Sequence, residues 1–137
     1  MFVIIDLEWI TDKENIDHLT QLYAVRTTKS WDVLARFDSI CAPPCDLLTQ
    51  DHLALSGYDI YEFSSAAYEN QVVGKFIEWL KDDDVLLFWH NASWMRLTEM
   101  AYRASSILPA KGHRILGNKL RHHYGKSMVA PILSAVR

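Results

Sequence analysis

The stretch FVIIDLEWI, residues 2–10, combines a dense apolar run with two carboxylates at alternate positions. Side chains two residues apart in a β-strand point to the same face, so Asp6 and Glu8 stand together while Ile5 and Leu7 face the other way. The apolar residues on both sides of the pair predict a central strand, rather than an edge strand with its polar face in water. Neighbouring carboxylates repel and need water or a divalent cation between them, so the pattern favours a metal site.

The chain has 137 residues, of which 50% are hydrophobic. This length and composition predict a single domain over residues 1–137, with a basic C-terminal segment at about 111–137. No apolar run approaches the ~20 residues of a membrane-spanning helix, and the opening residues do not resemble a signal peptide. We therefore expect a cytoplasmic protein with no membrane partner. Cys41 and Cys45 lack the second ligand pair of a structural zinc site and are interpreted as ordinary thiols.

The charge distribution is uneven along the chain. Residues 1–95 hold 6 basic and 16 acidic residues, whereas residues 96–137 hold 8 basic residues and one acid, Glu99. This basic third could meet the phosphates of a nucleic acid. It could equally be a solvated surface, or be neutralised by the acidic part of the same chain.

Three strand-like runs come first, at residues 2–10, 18–27 and 30–42, and predict an antiparallel meander. Thr49 and Gly57 then predict the two ends of a short helix. Ser64 or Ser65 is the predicted cap of a longer helix that runs through Leu80.

The apolar run VLLFW, residues 85–89, predicts a strand buried on both faces, and residues 93–107 predict the helix that follows it. A meander followed by strand and helix units predicts an α/β fold, in which a mixed sheet is flanked by helices.

The order of these segments resembles the DEDD-type 3'-5' exonucleases, which have an RNase H-like fold. The resemblance rests on Asp-x-Glu in the first strand and on LTQDHLALSGYD and FIEWLKDDDVLLFWHNASW behind it. It implies that Asp6 and Glu8 are catalytic residues and metal ligands, with Asp6 shared between two ions of Mg²⁺ or Mn²⁺. In that chemistry one ion generates the attacking hydroxide and the other stabilises the leaving oxygen. The implied partner is a nucleic acid, as a single strand or a 3' end.

The second motif of the family departs from its pattern in this chain. HNASWMRL places Trp94 at the aromatic position and Met95 where the family has a metal-binding Asp. A thioether does not replace a carboxylate as a ligand for a hard cation. Glu99 is the candidate substitute ligand; its alternatives are a solvated helix residue or a partner of Arg96 or Arg103.

The third motif departs further. LGNKLRHHYG, residues 116–125, resembles the expected helix with its glycine stop, but SMVAPILSAVR, residues 127–137, contains no His and no acid. An alignment on the family alanine puts Ser134 at the metal-binding position and Val129 at that of the general base.

The predicted nucleic-acid contacts lie outside these motifs. Tyr58 stands in the loop that lines the terminal nucleotide in the family, where it could stack on a base or could simply cover a helix end. The other predicted contacts are Asn91, Arg114, Lys119 and Arg121.

Two functions remain open at this point. One is a 3'-5' exonuclease with weak or lost two-metal activity, and the other is an inactive scaffold that binds a nucleic acid, a protein partner or a second copy of itself. The missing acids could also lie beyond Arg137 or on a partner subunit. Walker, HExxH and GxSxG motifs are absent from the sequence, so other common hydrolase classes have no support.

Overall fold

The computed structural model describes residues 1–117, without the side chain of Cys45. These residues form one five-stranded sheet in the order β3-β2-β1-β4-β5. The strands are β1 (Phe2–Thr11), β2 (Asp17–Thr27), β3 (Val33–Ile40), β4 (Val85–Phe88) and β5 (Gly112–Ile115). β2 pairs antiparallel with β1 and β3, while β1, β4 and β5 run parallel. The predicted meander, mixed sheet and central position of residues 2–10 are confirmed.

Four α-helices and one short 3-10 helix connect the strands of this sheet. They are the 3-10 helix Cys45–Leu47 and the helices α1 (Gln50–Ser56), α2 (Ile60–Ser64), α3 (Glu69–Trp79) and α4 (Asn91–Arg103). The side chain of Thr49 accepts a hydrogen bond from the backbone N–H of His52, and Gly57 ends α1 in the left-handed region. The predicted bounds of this helix are therefore confirmed. None of the helices in the described residues is long and apolar enough to cross a membrane.

The helix predicted from Ser64 or Ser65 through Leu80 is wrong at its beginning, because two helices occupy this region. Asp59 and Glu62 form a reciprocal capping box that starts α2 earlier in the chain. Ser64 is instead the last residue of α2, and its hydroxyl donates to the carbonyl oxygen of Ile60. α3 then begins at Glu69.

Two other predicted boundaries are also wrong. The helix expected at residues 93–107 begins at Asn91 and ends at Arg103, because Ser105 adopts a positive φ of 56° that a helix cannot continue. The third strand begins at Val33 rather than at residue 30. Residues 28–32 form a turn, in which the Thr28 hydroxyl accepts hydrogen bonds from backbone N–H groups and Trp31 has a φ of 70°.

β5 was not anticipated from the sequence, because GHRI is short and largely exposed. It nevertheless pairs in register with β4, from Gly112 opposite Val85 to Ile115 opposite Phe88. Most of the helix predicted at residues 116–125 lies outside the described residues, as do Val129 and Ser134.

The main core lies between the sheet and the helices α3 and α4. Alternate residues of β1 point into it, and α3 contributes the positions that its helical spacing predicted. These residues are Val3, Ile5 and Leu7 from β1 and Val72, Val73 and Phe76 from α3. The phenyl ring of Phe76 meets that of Phe37 edge to face, with 5.2 Å between ring centroids.

A β-bulge interrupts the pairing of β1 with β2. Glu8 lies opposite Gln21, but the next residue, Trp9, lies opposite Leu19, so Thr20 is an extra residue on β2. The bulge returns Leu19 to the core face that it shares with Leu22. Asp17 is also buried, and its Oδ2 lies 2.9 Å from Nε of Arg96 on α4.

A buried ion pair joins β2 to the turn before β4. The side chain of Arg26 is 6% exposed and that of Asp84 is fully buried, and 2.7 Å separates Nη2 of Arg26 from Oδ2 of Asp84. Arg26 also donates to the carbonyl oxygen of Trp79, and Asp84 accepts a hydrogen bond from the backbone N–H of Lys81. The pair is thus supported by further hydrogen bonds on both sides.

Cys41 is fully buried in the core, and we expect its thiol to be inert in the folded protein. Burial, with a smaller contribution from the negative charge of Glu69, raises the pKa of Cys41 to about 12. Since the thiolate is the reactive form, a Cys45→Ser variant should resist iodoacetamide at pH 8 until denaturant is added. Rapid labelling without denaturant would contradict this prediction, and a Cys41→Ala, Cys45→Ser variant gives the background.

The raised pKa of Cys41 makes its contribution to the free energy of folding depend on pH. The pKa of the folded thiol lies above that of an unfolded cysteine, which is about 8.5. The contribution of Cys41 to stability is therefore fully present below pH ~8.5 and is lost as the pH rises towards 12, because only the unfolded chain ionises in that window.

Candidate functional site

Asp6 and Glu8 lie on the face of β1 that turns away from α3 and α4. Ile5 and Leu7 are in the core, so the strand alternation sends the two carboxylates to the opposite face of the sheet. Asp6 is half-buried opposite Tyr23, and Glu8 is exposed opposite Gln21. The central strand predicted from this sequence is present, but the outer carboxylate of the pair is in contact with solvent.

The beginning of α4 lies at the same edge of the sheet as this acid pair. β4 is the parallel neighbour of β1, and Phe88, its last residue, pairs with Ile5. Asp6 follows directly on β1, and α4 begins at Asn91, three residues after the end of β4. The fold therefore brings the Asp-x-Glu strand and the HNASWM segment to one edge, as the exonuclease resemblance implies.

Met95 occupies the first part of α4, where the family pattern has a carboxylate. Its side chain is 54% exposed, and its sulfur accepts a hydrogen bond from Nδ2 of Asn91 at 3.3 Å. The amide of Asn91 is thus directed at the thioether. This turn offers a soft sulfur atom at the position where Mg²⁺ would require oxygen.

Glu99 lies one turn further along α4, and its carboxylate is directed at another partner. Its side chain is 59% exposed, and its Oε1 lies 4.0 Å from Nη1 of Arg103. Arg103 itself is held more closely by Glu69, at 2.9 Å. This matches the ion-pair alternative for Glu99.

The available ligands do not fit a two-metal centre. Within residues 1–117, no three His, Cys, Asp or Glu side chains are placed so that they could hold a metal ion. Residues 118–137 contain His122 and His123 but no carboxylate. Asp6 and Glu8 are therefore the two carboxylates that this chain offers on this strand, and the structure does not bring Glu99 to join them.

Tyr58 packs within its own loop. Its ring meets that of Phe63 edge to face, with 5.9 Å between centroids, and its side chain is half-buried. This contact is the one expected of a side chain that covers a helix end. Its role as a nucleic-acid contact remains a prediction.

The remaining predicted contacts are separated in the structure. Asn91 is exposed at the start of α4, and Arg114 is exposed on β5, two strands away from β1. Lys119 and Arg121 lie outside the described residues. Of the two that the structure describes, Asn91 is the one at the edge of the acid pair.

Comparison with solved structures identifies proteins with this arrangement of strands and helices. Exonuclease I superposes with a TM-score of 0.72 at 18% sequence identity, covering 90% of this chain and 29% of the other. The E. coli exonuclease I complex with a dT13 oligonucleotide gives a TM-score of 0.71 at 18% identity, again over 90% and 29% of the two chains. The ExoI/SSB-Ct complex gives 0.73 at 18% identity, over 90% and 30%.

This chain spans less than a third of the length of those exonuclease I chains. No protein-family model matches the sequence, and a search of curated proteins also gives no match. At this level of identity the likeness establishes the fold, and the RNase H-like architecture predicted from the exonuclease resemblance is confirmed.

Proposed function

We propose that residues 1–137 form one exonuclease-fold domain that binds single-stranded nucleic acid but does not hydrolyse it through a two-metal centre. The observation that carries this proposal is the position of Met95. It stands in the first part of α4, at the edge of the sheet that holds Asp6 and Glu8, and its thioether is hydrogen-bonded to Asn91. A hard divalent cation would find no carboxylate there.

Nucleic acid is the proposed ligand for two reasons. The solved structures that share this fold include exonuclease I with a dT13 oligonucleotide, and the last third of this chain is basic. Basic side chains attract the phosphate backbone whether or not hydrolysis follows.

Asp6 and Glu8 should affect the binding of a nucleic acid in opposite ways in a metal-free binding domain and in a two-metal nuclease. In a two-metal nuclease, the ions neutralise the carboxylates and then act on the phosphodiester. Without such ions, Asp6 and Glu8 repel a phosphate that approaches this face. The sign of their contribution to binding therefore distinguishes the two functions.

We expect purified protein to bind a 3'-labelled single strand without shortening it in Mg²⁺ or Mn²⁺. The D6N/E8Q variant should bind the strand about threefold more tightly, a change of roughly 0.6 kcal/mol that is typical of charge interactions at a protein surface. Fluorescence anisotropy measures binding, and a denaturing gel measures strand length.

The matched control is E14Q/E78Q, which removes two negative charges at exposed positions outside β1. It should change the affinity less than D6N/E8Q does. Metal-dependent shortening that an Asp6→Ala variant abolishes would contradict the proposal, and would show that an active exonuclease recruits ligands from elsewhere.

A protein partner is the second candidate function. One of the structures with this fold is the ExoI/SSB-Ct complex, and this supports a domain that binds a protein. The absence of any single-strand binding in the anisotropy experiment would favour this candidate.

A further inference from the structure

A groove of about 480 Å³ lies at the edge of the sheet where the parallel strands begin. Phe2, Val85 and Gly112 form one row across β1, β4 and β5, and all three line the groove. This edge is opposite the one at which β4 ends and α4 begins. The groove is therefore distinct from the candidate site around Asp6 and Glu8.

The charged side chains that line the groove are all basic. Lys29 comes from the turn between β2 and β3, and Lys111 and Arg114 come from the segment that forms β5. His113 completes the polar part of the lining, and its ring stacks on that of Trp94 with 3.7 Å between centroids. No carboxylate lines the groove in the part of the chain that the structure describes.

These three cations differ from the buried or partly buried arginines of the fold. Arg26, Arg96 and Arg103 are each paired with an Asp or Glu. Lys29, Lys111 and Arg114 have no such ion pair within residues 1–117.

The acids on the two turns next to these cations either have other partners or lie outside the lining. Asp32 accepts a hydrogen bond from the Thr28 hydroxyl in its own turn, and Asp84 forms the buried ion pair with Arg26. Asp82 and Asp83 are exposed in the turn before β4 and do not line the groove. Three positive charges thus converge on a cavity in which an anion would supply the missing partner.

An aromatic pair borders the same groove. Phe2 lies in its lining, and Trp31 stacks on Phe2 with 5.5 Å between ring centroids and an interplanar angle of 27°. Trp31 is 53% exposed and lies on the turn that also carries Lys29. An exposed indole beside these cations offers a stacking surface for a base.

We propose that this groove binds a nucleotide phosphate of a single strand, with Lys29, Lys111 and Arg114 on the phosphate and Trp31 against a base. The proposal rests on the proposed function for the strand and on the groove lining for the phosphate. Phe2 and Asp6 lie on the same face of β1, four residues apart, or about 13 Å at 3.3 Å per residue. The groove would therefore hold the strand away from the repelling acid pair.

Charge-matched double variants test the groove. K29Q/K111Q removes two groove cations, and K13Q/K75Q removes two exposed lysines on other surfaces. Anisotropy titrations with fluorescein-labelled dT15 at several salt concentrations should show about tenfold weaker binding for K29Q/K111Q. The salt slope should fall by about 0.7, because on a single strand each phosphate that is no longer neutralised removes roughly that amount. Equal weakening in both double variants would overturn the proposal.

A variant of Trp31 tests separately whether a base stacks on this indole. Trp31→Leu should weaken dT15 binding about fivefold while it leaves the salt slope unchanged, since stacking releases no counterions. An unchanged affinity would overturn the assignment of Trp31.

Titration with dTMP separates failure of the groove from failure of the proposed function. If dT15 binds but K29Q/K111Q behaves as its control does, the groove is wrong and the proposed function stands. If dT15 does not bind but dTMP does, and K29Q/K111Q abolishes that binding, the groove is a nucleotide phosphate site and the proposed function is wrong. If neither ligand binds, both proposals are overturned.

Discussion

Asp84→Ala should lower the free energy of unfolding by about 3–5 kcal/mol, because it leaves Arg26 charged and unpaired inside the protein. The guanidinium of Arg26 faces this carboxylate through both Nε and Nη2. Nη2 keeps a hydrogen bond to the carbonyl oxygen of Trp79, but a carbonyl oxygen carries no compensating charge. Guanidinium chloride denaturation followed by circular dichroism measures the loss.

Two further variants separate the buried charge from loss of the side chain itself. Asp83→Ala truncates the exposed neighbouring residue in the same turn and should change stability by less than about 0.5 kcal/mol. R26M/D84A removes both charges and should recover part of the loss, since an apolar replacement leaves no unpaired ion. A cost below about 1 kcal/mol for Asp84→Ala would show that water reaches Arg26, in contradiction to its burial.

Gly117→Ala should destabilise the protein by about 1–3 kcal/mol, the usual cost of forcing atoms into a packed site. A Cβ atom at Gly117 would clash with the carbonyl oxygen of Trp89, which is rigid backbone rather than the end of a flexible side chain. The same carbonyl oxygen accepts the backbone N–H of Gly117 at 3.0 Å. A movement of Gly117 away from Trp89 would relieve the clash, but it would also weaken this hydrogen bond.

Gly74→Ala is the matched control for this prediction. Gly74 lies inside α3 and has open space where a Cβ would be, so alanine there should stabilise the helix by about 0.5–1 kcal/mol. Thermal unfolding of both variants compares the two glycines directly. Equal stability of Gly117→Ala and wild type would contradict the close approach of Gly117 to Trp89.

Local patterns in the sequence were enough to predict the meander and α1. Alternation in residues 2–10 specified which side of β1 carries Asp6 and Glu8, and Thr49 with Gly57 specified both ends of a helix. These features depend on residues that are neighbours in the chain. The same logic failed at Ser64, because the capping box of Asp59 and Glu62 competes for the same stretch.

Features that depend on residues far apart in the chain could not be predicted in this way. The pairing of Arg103 on α4 with Glu69 on α3 joins residues that are 34 positions apart. β5 acquires its strand conformation by pairing with β4, since its own residues are mostly exposed. The groove needs Lys29 and Lys111 together, and they reach one edge through the antiparallel pairing of β2 with β1 and the parallel pairing of β1, β4 and β5.

The bulge at Thr20 has an electrostatic consequence for the acid pair. Without the extra residue, strict alternation would put Asp17 on the side of Gln21 and Tyr23, which are the cross-strand partners of Glu8 and Asp6. The bulge instead turns Asp17 towards α4, where its carboxylate neutralises Arg96 and its carbonyl oxygen accepts a hydrogen bond from Arg103. One inserted residue thus places the carboxylate of Asp17 on the helix side of the sheet, where it does not add to the negative charge that a polyanion meets on the Asp6 face.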